Sequence, residues 1–152
     1  WAVATAQEEV GIIGAIGSTF ELHPTIAIAV DVTFAKSPGA SDWQTSPLGK
    51  GPTLCMGPNI HPAMFKAMKD LADRLEIPYS LEYAPRHTGT DGHATQVIAE
   101  GVPTVVMGIP LRYMHTPVEV VALKDIQRAG RLMAEFIAGL APDFVEKITW
   151  DD

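Results

Sequence analysis

Nine residues limit the fold of this chain more than any others: Thr25-Ile26-Ala27-Ile28-Ala29-Val30-Asp31-Val32-Thr33 is apolar almost without a break. Such a run reads as a strand. Continuous rather than alternating apolarity predicts cover on both faces, as in a parallel sheet flanked by helices. Asp31 stands near its end. A carboxylate there is either a turn or helix cap, or a ligand, and the run alone does not choose.

Periodicity supplies the other elements. Trp1 to Ala6 reads as a strand, and Gly11 to Phe20 as a helix whose small residues permit close packing, although Gly11, Gly14 and Gly17 lower its propensity. His61-Pro62 opens a helix to about Glu76. Its Met64, Phe65, Met68, Leu71, Ala72 and Leu75 recur at helical spacing, so these methionines are core. Pro78 to Ala84 alternates Tyr79, Leu81 and Tyr83 with Ser80, Glu82 and Ala84, a strand pattern. Thr90 or Asp91 caps a helix over Ala94 to Glu100, and Gly101 stops it before a buried strand ending at Ile109. Lys124 to Leu140 is an amphipathic helix with Ile126, Ala129, Leu132, Met133, Phe136, Ile137 and Leu140 on one face. Between Phe34 and Gly57 lies a long Pro-, Gly- and Ser-containing loop with a short strand at Pro52 to Met56. Its Asp42 and Trp43 either line a pocket or form a surface turn.

Strands alternating with helices predict the α/β class: a three-layer α/β/α sandwich on a mixed, mostly parallel sheet. No repeat or domain boundary interrupts it. The chain opens on Trp1, inside an apparent strand and without an initiator Met, so residues 1–152 are expected to be part of a domain that is incomplete at its N-terminus. Asp151 and Asp152 in the tail are expected to fray or to pair with structure outside the sequence.

Composition excludes several functions. A net charge of −7, with no basic cluster, argues against a nucleic-acid partner. Every apolar stretch is broken before the ~18 residues a membrane helix needs. The single Cys55 cannot form an internal disulfide, which fits a reducing, cytoplasmic setting and a role as a small buried hydrophobe.

The chemistry concentrates at Ala4-Thr5-Ala6-Gln7-Glu8-Glu9-Val10-Gly11, where an apolar run delivers two adjacent carboxylates to a turn. Taken alone, Glu8 and Glu9 describe a solvated loop, since charged residues are mostly exposed. Asp31 and His115 also fall at strand ends, where open α/β sheets bind ligands. Carboxylates plus an imidazole make a shell for Zn, Co or Mn. Neighbours on an extended segment point to opposite sides, so one of Glu8 and Glu9 binds an ion while the other stands off as a base. Arg86-His87-Thr88-Gly89-Thr90-Asp91-Gly92-His93 is a second polar knot. The six-residue spacing of His87 and His93 is not a ligand spacing, and capping alone would explain Asp91.

Four segments in this order, Ala6-Gln7-Glu8-Glu9-Val10-Gly11, Val30-Asp31-Val32-Thr33, Gly89-Thr90-Asp91 and Arg112-Tyr113-Met114-His115-Thr116, resemble the co-catalytic metallo-aminopeptidases of the glutamyl aminopeptidase (TET, deblocking aminopeptidase) family, often labelled cellulase M or endoglucanase. The resemblance covers nearly the whole chain. It implies that Glu8 is the general base, that Glu9 and His115 bind one divalent ion and Asp31 another (Zn or Co), and that Asp91 supports the site. It also implies peptide substrates and a homo-oligomer in which dimers build a dodecamer. The family draws a further His and a bridging Asp, and an inserted assembly domain, from upstream of Gln7. Six residues precede Gln7 here, so the chain is expected to be the C-terminal portion of the catalytic domain. By itself it is expected to bind metal weakly and to hydrolyse peptides poorly.

Two alternatives stand beside this reading. A glycosidase needs two carboxylates facing each other about 5 to 9.5 Å apart, for which adjacent Glu8 and Glu9 are poorly placed. A non-catalytic piece that completes a site with another chain would carry the same residues and leave apolar surface to drive association.

Overall fold

The computed structural model describes residues 1–148, and the expectation for Asp151 and Asp152 lies outside the described residues. Its elements are α1 (Ile13–Leu22), β1 (Ala27–Phe34), β2 (Thr53–Met56), α2 (Pro62–Arg74), β3 (Ser80–Tyr83), α3 (Asp91–Gln96), β4 (Thr104–Arg112), β5 (Val120–Val121), α4 (Leu123–Ala138) and α5 (Phe144–Lys147). The apolar run that anchored the sequence reading is β1. It pairs in parallel with β4 along its whole length, from Ala27 opposite Thr104 to Phe34 opposite Leu111. The strand order is β1-β4-β2-β3, with β5 on the end of β4. β2 runs parallel to β3 and antiparallel to β4, so the sheet is mixed. Helices α1 and α3 cover one face and α2 and α4 the other, a three-layer α/β/α sandwich.

The core lies between the sheet and α2 and α4, where Leu54, Met64, Met68, Met107 and Leu132 are fully buried. The α2 methionines are core side chains, and Pro62 takes the first helical turn, where its missing N–H costs nothing. Cys55 is buried too, and burial pushes its thiol up to about 12, with Glu82 adding to the effect. On the other face α3 sits close to the sheet because Gly92 has no side chain. A Cβ there would collide with Val106 Cγ2 and press on Ala29 Cβ at 3.4 Å.

Four expectations change. Residues 1–7 enter no ladder, so the apparent strand at Trp1–Ala6 is irregular chain beside the open edge of β1, and Glu8 and Glu9 fall in a 3-10 turn, Glu8–Val10. Apolarity does not by itself pair a segment into a ladder, even beside a free edge. β1 is itself an edge strand, with Val30, Val32 and Phe34 exposed rather than covered. The alternation expected for β3 is present, with Leu81 and Tyr83 exposed and Ser80 and Glu82 half-buried. Helix α3 starts and ends earlier than Ala94 to Glu100, because Thr90 Oγ1 accepts the Gly92 N–H and sets the N-cap there. Strand β4 runs past Ile109 to Arg112. Pro110 is tolerated since β2 pairs only with Met107 and Gly108, leaving the proline beyond that ladder.

On α4, Ile126 and Ile137 prove exposed, and an unforeseen residue, Asp125, is fully buried. Its oxygens accept the N–H groups of Gly49 (2.5 Å) and Gly51 (2.8 Å), tying the long loop to the first turn of α4. The Arg128 guanidinium, which donates to Gly49 O, stands 3.8 Å from the same carboxylate. Removing the acceptor strands two buried donors, each costing ~1–3 kcal/mol. Asp125→Ala is therefore expected to destabilise the chain by about 3 kcal/mol and Asp125→Asn by less, since Asn keeps one acceptor. Urea unfolding followed by circular dichroism measures both.

Candidate functional site

The parallel β1–β4 ladder sets the site. Asp31 leaves β1 on the face covered by α3, opposite Gly108 of β4. Past the end of β4 the chain turns back, and His115 meets Glu9 across 106 residues of sequence, Nε2 to Oε1 at 3.1 Å. The His115 N–H also donates to Glu119 Oε1 at 2.7 Å, which fixes the turn carrying the imidazole. Glu8 shares the 3-10 turn with Glu9.

Backbone strain gathers around these residues. Gln7, Ile12, Tyr113 and His115 all have φ near +60°. Side chains rarely adopt that region, and a β-branched residue such as Ile12 least of all. Gln7 in this conformation starts the turn that presents Glu8 and Glu9, and Tyr113 and His115 reverse the chain after β4.

The electrostatics are those of crowded acids. Glu8 is raised from its ordinary value first by desolvation, then by the charges of Asp31, Glu9 and Asp91, with His115 opposing them. Asp31 is raised first by burial. The Val32 N–H on its Oδ1 (2.7 Å) works the other way, and Asp91, Glu9 and Glu82 add repulsion. So Glu8, Glu9, Asp31 and Asp91 lie within electrostatic reach of one another, and Glu9 with His115 within contact. Among the described residues, no three His, Cys, Asp or Glu side chains converge closely enough to hold an ion. The donor set is a pair, Glu9 and His115, plus a single, Asp31.

Three features escaped the sequence reading. Asp91 is not the cap but the first residue of α3, and its Oδ2 accepts the Thr5 hydroxyl at 2.6 Å while its Oδ1 is buried without a hydrogen bond. Thr5 therefore links the Glu8 turn to α3. His87 and His93 stack, ring centroids 3.9 Å apart, with His93 Nδ1 buried and unpartnered. Glu82 reaches the same sheet face as Asp31, where its Oε2 accepts the Thr53 hydroxyl at 2.7 Å. The one sequence signal for Glu82 was an acid inside a strand alternation, which does not say which face is inward.

Desolvation, and then the neighbouring His87, lower His93 below its ordinary 6.5. The folded state thus binds this proton less readily than the unfolded chain does. The stability that depends on neutral His93 is complete above about pH 6.5 and declines as pH falls towards the lowered folded value. His93→Gln is expected to lose less stability between pH 7.5 and pH 5.5 than the parent, measured as urea midpoints at the two pH values.

A family model described as M42 glutamyl aminopeptidase matches residues 1–132. A lysyl aminopeptidase of Pyrococcus furiosus is 41% identical over 140 residues, which are 92% of this chain and 40% of the relative. The solved TET aminopeptidase of a marine-sediment archaeon of the Thaumarchaeota superposes with a TM-score of 0.88 at 31% identity, covering 96% of this chain and 42% of that one. The Pyrococcus horikoshii TET1 peptidase, described as assembling into a tetrahedron or a large octahedral shell, superposes with a TM-score of 0.70 at 28% identity, over 88% of this chain and 39% of the other. The chain thus spans about 40% of the length of the curated relative.

Proposed function

We propose a function for this chain from the premise that it belongs to the M42 glutamyl aminopeptidase family: it carries the general base and part of the ligand set of a metal-dependent aminopeptidase. The observation that carries this reading is the contact of Glu9 with His115 at 3.1 Å, directly beside Glu8, at the end of the β1–β4 ladder. Peptidases of this family are generally metal-dependent. The donors present fit a divalent ion in kind, carboxylate and imidazole being what Zn and Co accept. In number they do not enclose one. We assign Glu9 and His115 to one ion and Asp31 to a second, with the remaining ligands supplied by residues this chain does not carry. These would correspond to the rest of the catalytic domain of the longer relatives.

Bound divalent ions supply Lewis acidity, polarising the scissile carbonyl and easing loss of a proton from water. The other steps belong to the chain. Glu8 keeps a free carboxylate, raised from its ordinary value first by desolvation and then by the neighbouring acids, which makes it a stronger base. It takes the proton of the attacking water as oxygen bonds to the carbonyl carbon of the first peptide bond. It returns the proton to the amine as the C–N bond breaks. Thr5 and Asp91 hold the turn from which Glu8 projects.

The substrates are peptides with a free N-terminus. By analogy with the TET1 peptidase, the complete protein assembles into a closed shell. The buried thiol of Cys55 suits a reducing cytoplasm. A glycosidase is disfavoured because Glu8 and Glu9 sit in one 3-10 turn rather than across a cleft.

Calorimetric titration of the metal-stripped chain with zinc and with cobalt tests the ligand assignment. Weak binding, lost in Glu9→Ala and in His115→Ala, is the expected result. Tight binding of two ions would show that the chain holds a closed centre and overturn the three-ligand count. Cleavage of aminoacyl anilides is expected to be barely detectable with the chain alone. In an enzyme completed by the missing ligands, Glu8→Gln should lower kcat by at least about a hundredfold while leaving metal affinity in place.

A further inference from the structure

Trp1–Ala6 has the apolar composition of a strand and enters no ladder, yet its place is fixed. The Gly14 N–H donates to Ala6 O at 2.9 Å, and the Thr5 hydroxyl donates to Asp91 Oδ2 at 2.6 Å. A cavity of about 540 Å3 is lined by residues 1–5 and by residues 26–30 at the start of β1. Among the described residues none of β4 lines it, so it lies on the open side of β1. Its other walls come from both covering layers, Thr19 of α1 and Thr95 of α3 from one, Met133 and Ile137 of α4 from the other. A cavity touched by both layers and by the rim of β1 is level with the sheet itself.

The backbone facing it is unpaired. In a parallel ladder alternate residues turn N–H and C=O towards the same neighbour. The Ala27 N–H donates to Pro103 O and the Ala35 N–H to Leu111 O, both at 2.9 Å, so the odd-numbered residues of β1 serve β4. Ile28, Val30, Val32 and Phe34 therefore turn theirs outward. The Asp31 carboxylate takes the Val32 N–H, and Phe34 O accepts the Ser46 N–H at 3.0 Å. Ile28 and Val30 line the cavity, and among the described residues no backbone group bonds to them from that side. Their outward groups need a partner with donors and acceptors at strand spacing, which is what an extended segment offers.

Residues 26–30 span about 16 Å at strand rise, the length of a short strand. The walls also specify side chains. Met133 and Ile137 present apolar surface from α4, whereas Thr19 and Thr95 present hydroxyls from the other layer. Asp91 lines that second side, and its Oδ1 is buried without a hydrogen bond.

We propose that this cavity is a strand slot. It receives one extended segment, alternately apolar and polar, that adds to the open edge of β1 and takes Trp1–Ala6 into the sheet as the strand beyond it. The segment belongs to protein outside these 152 residues, since the lysyl aminopeptidase relative is matched over 40% of its length. Filling the slot ties down the residues that lead directly into the Glu8–Glu9 turn. The proposal rests on the sheet edge and on the length of the relative, so metal binding and hydrolysis can fail without touching it.

The test is a scan of overlapping peptides of about twelve residues that cover the unmatched part of the lysyl aminopeptidase relative. Each is added to the 152-residue chain, and amide hydrogen exchange is read by NMR. One peptide is expected to slow exchange at Ile28 and Val30 at least roughly tenfold and to shift the amides of residues 2–6. Ala29 and Asp31, already bonded to β4, should change little. Val30→Pro removes an outward donor that β4 does not use, a site where an edge strand tolerates proline. Ile137→Lys puts a charge in the slot wall at an exposed position. Each should weaken that peptide at least about tenfold with the circular dichroism spectrum unchanged, and Ile137→Lys decides alone where Val30→Pro does not fold. A scan in which no peptide protects Ile28 and Val30, or protection that survives Ile137→Lys, would overturn the slot. Protection of the same amides without peptide, rising with concentration alongside a dimer in sedimentation, would give the edge to a second copy and overturn the occupant named.

Discussion

The structure hangs on the parallel pairing of β1 with β4. These strands lie far apart in sequence, so their ladder closes a long loop, whose entropy must be met by the pairs it forms. The ladder puts Asp31 opposite Gly108, carries the chain out at Arg112 and returns His115 to Glu9. It also forms the backing on which α3 lies, through the space left by Gly92. A slip of one residue would turn Asp31 to the opposite face of the sheet and withdraw it from Glu8, Asp91 and Glu82.

That ladder assembles a set of acids which repel one another. Glu8 and Asp31 are both raised, with burial as the largest cause and neighbouring carboxylates as the next. A crowd of this kind is costly for a fold that has no use for it, and the strained turns at Gln7, Tyr113 and His115 add to the cost. Both costs are reasonable where a cation is to be bound. Glu82 extends the negative face beyond Asp31, its Oε2 held by the Thr53 hydroxyl and lying over Gly108.

Structural support lies away from this chemistry. The core of Leu54, Met64, Met68, Met107 and Leu132 is on the opposite side of the sheet, so the acids occupy the face where packing is less dense in large apolar side chains. Asp125 shows a different use of a carboxylate. Fully buried, it serves the Gly49 and Gly51 N–H groups and pins the long loop to α4. Asp31, by contrast, accepts one backbone N–H, from Val32, and otherwise faces the repelling charges of Asp91, Glu9 and Glu82.

The amino-acid sequence by itself determined α2 and α4, whose apolar period records locally which side is buried, and the existence of β1 and β4, whose continuous apolar runs carry no such period. It also determined the family, through four ordered segments that include Glu8, Glu9, Asp31 and His115. It misjudged Trp1–Ala6, since apolarity does not by itself pair a segment with a neighbouring edge. The contact of Glu9 with His115, the tie of Thr5 to Asp91, the burial of Asp125 and the placing of Glu82 over Gly108 were decided by tertiary structure alone. Each joins residues distant in sequence. The physical reason is common to all four: a side chain's own period says which way it faces, and only the register of non-local pairs says what it meets there.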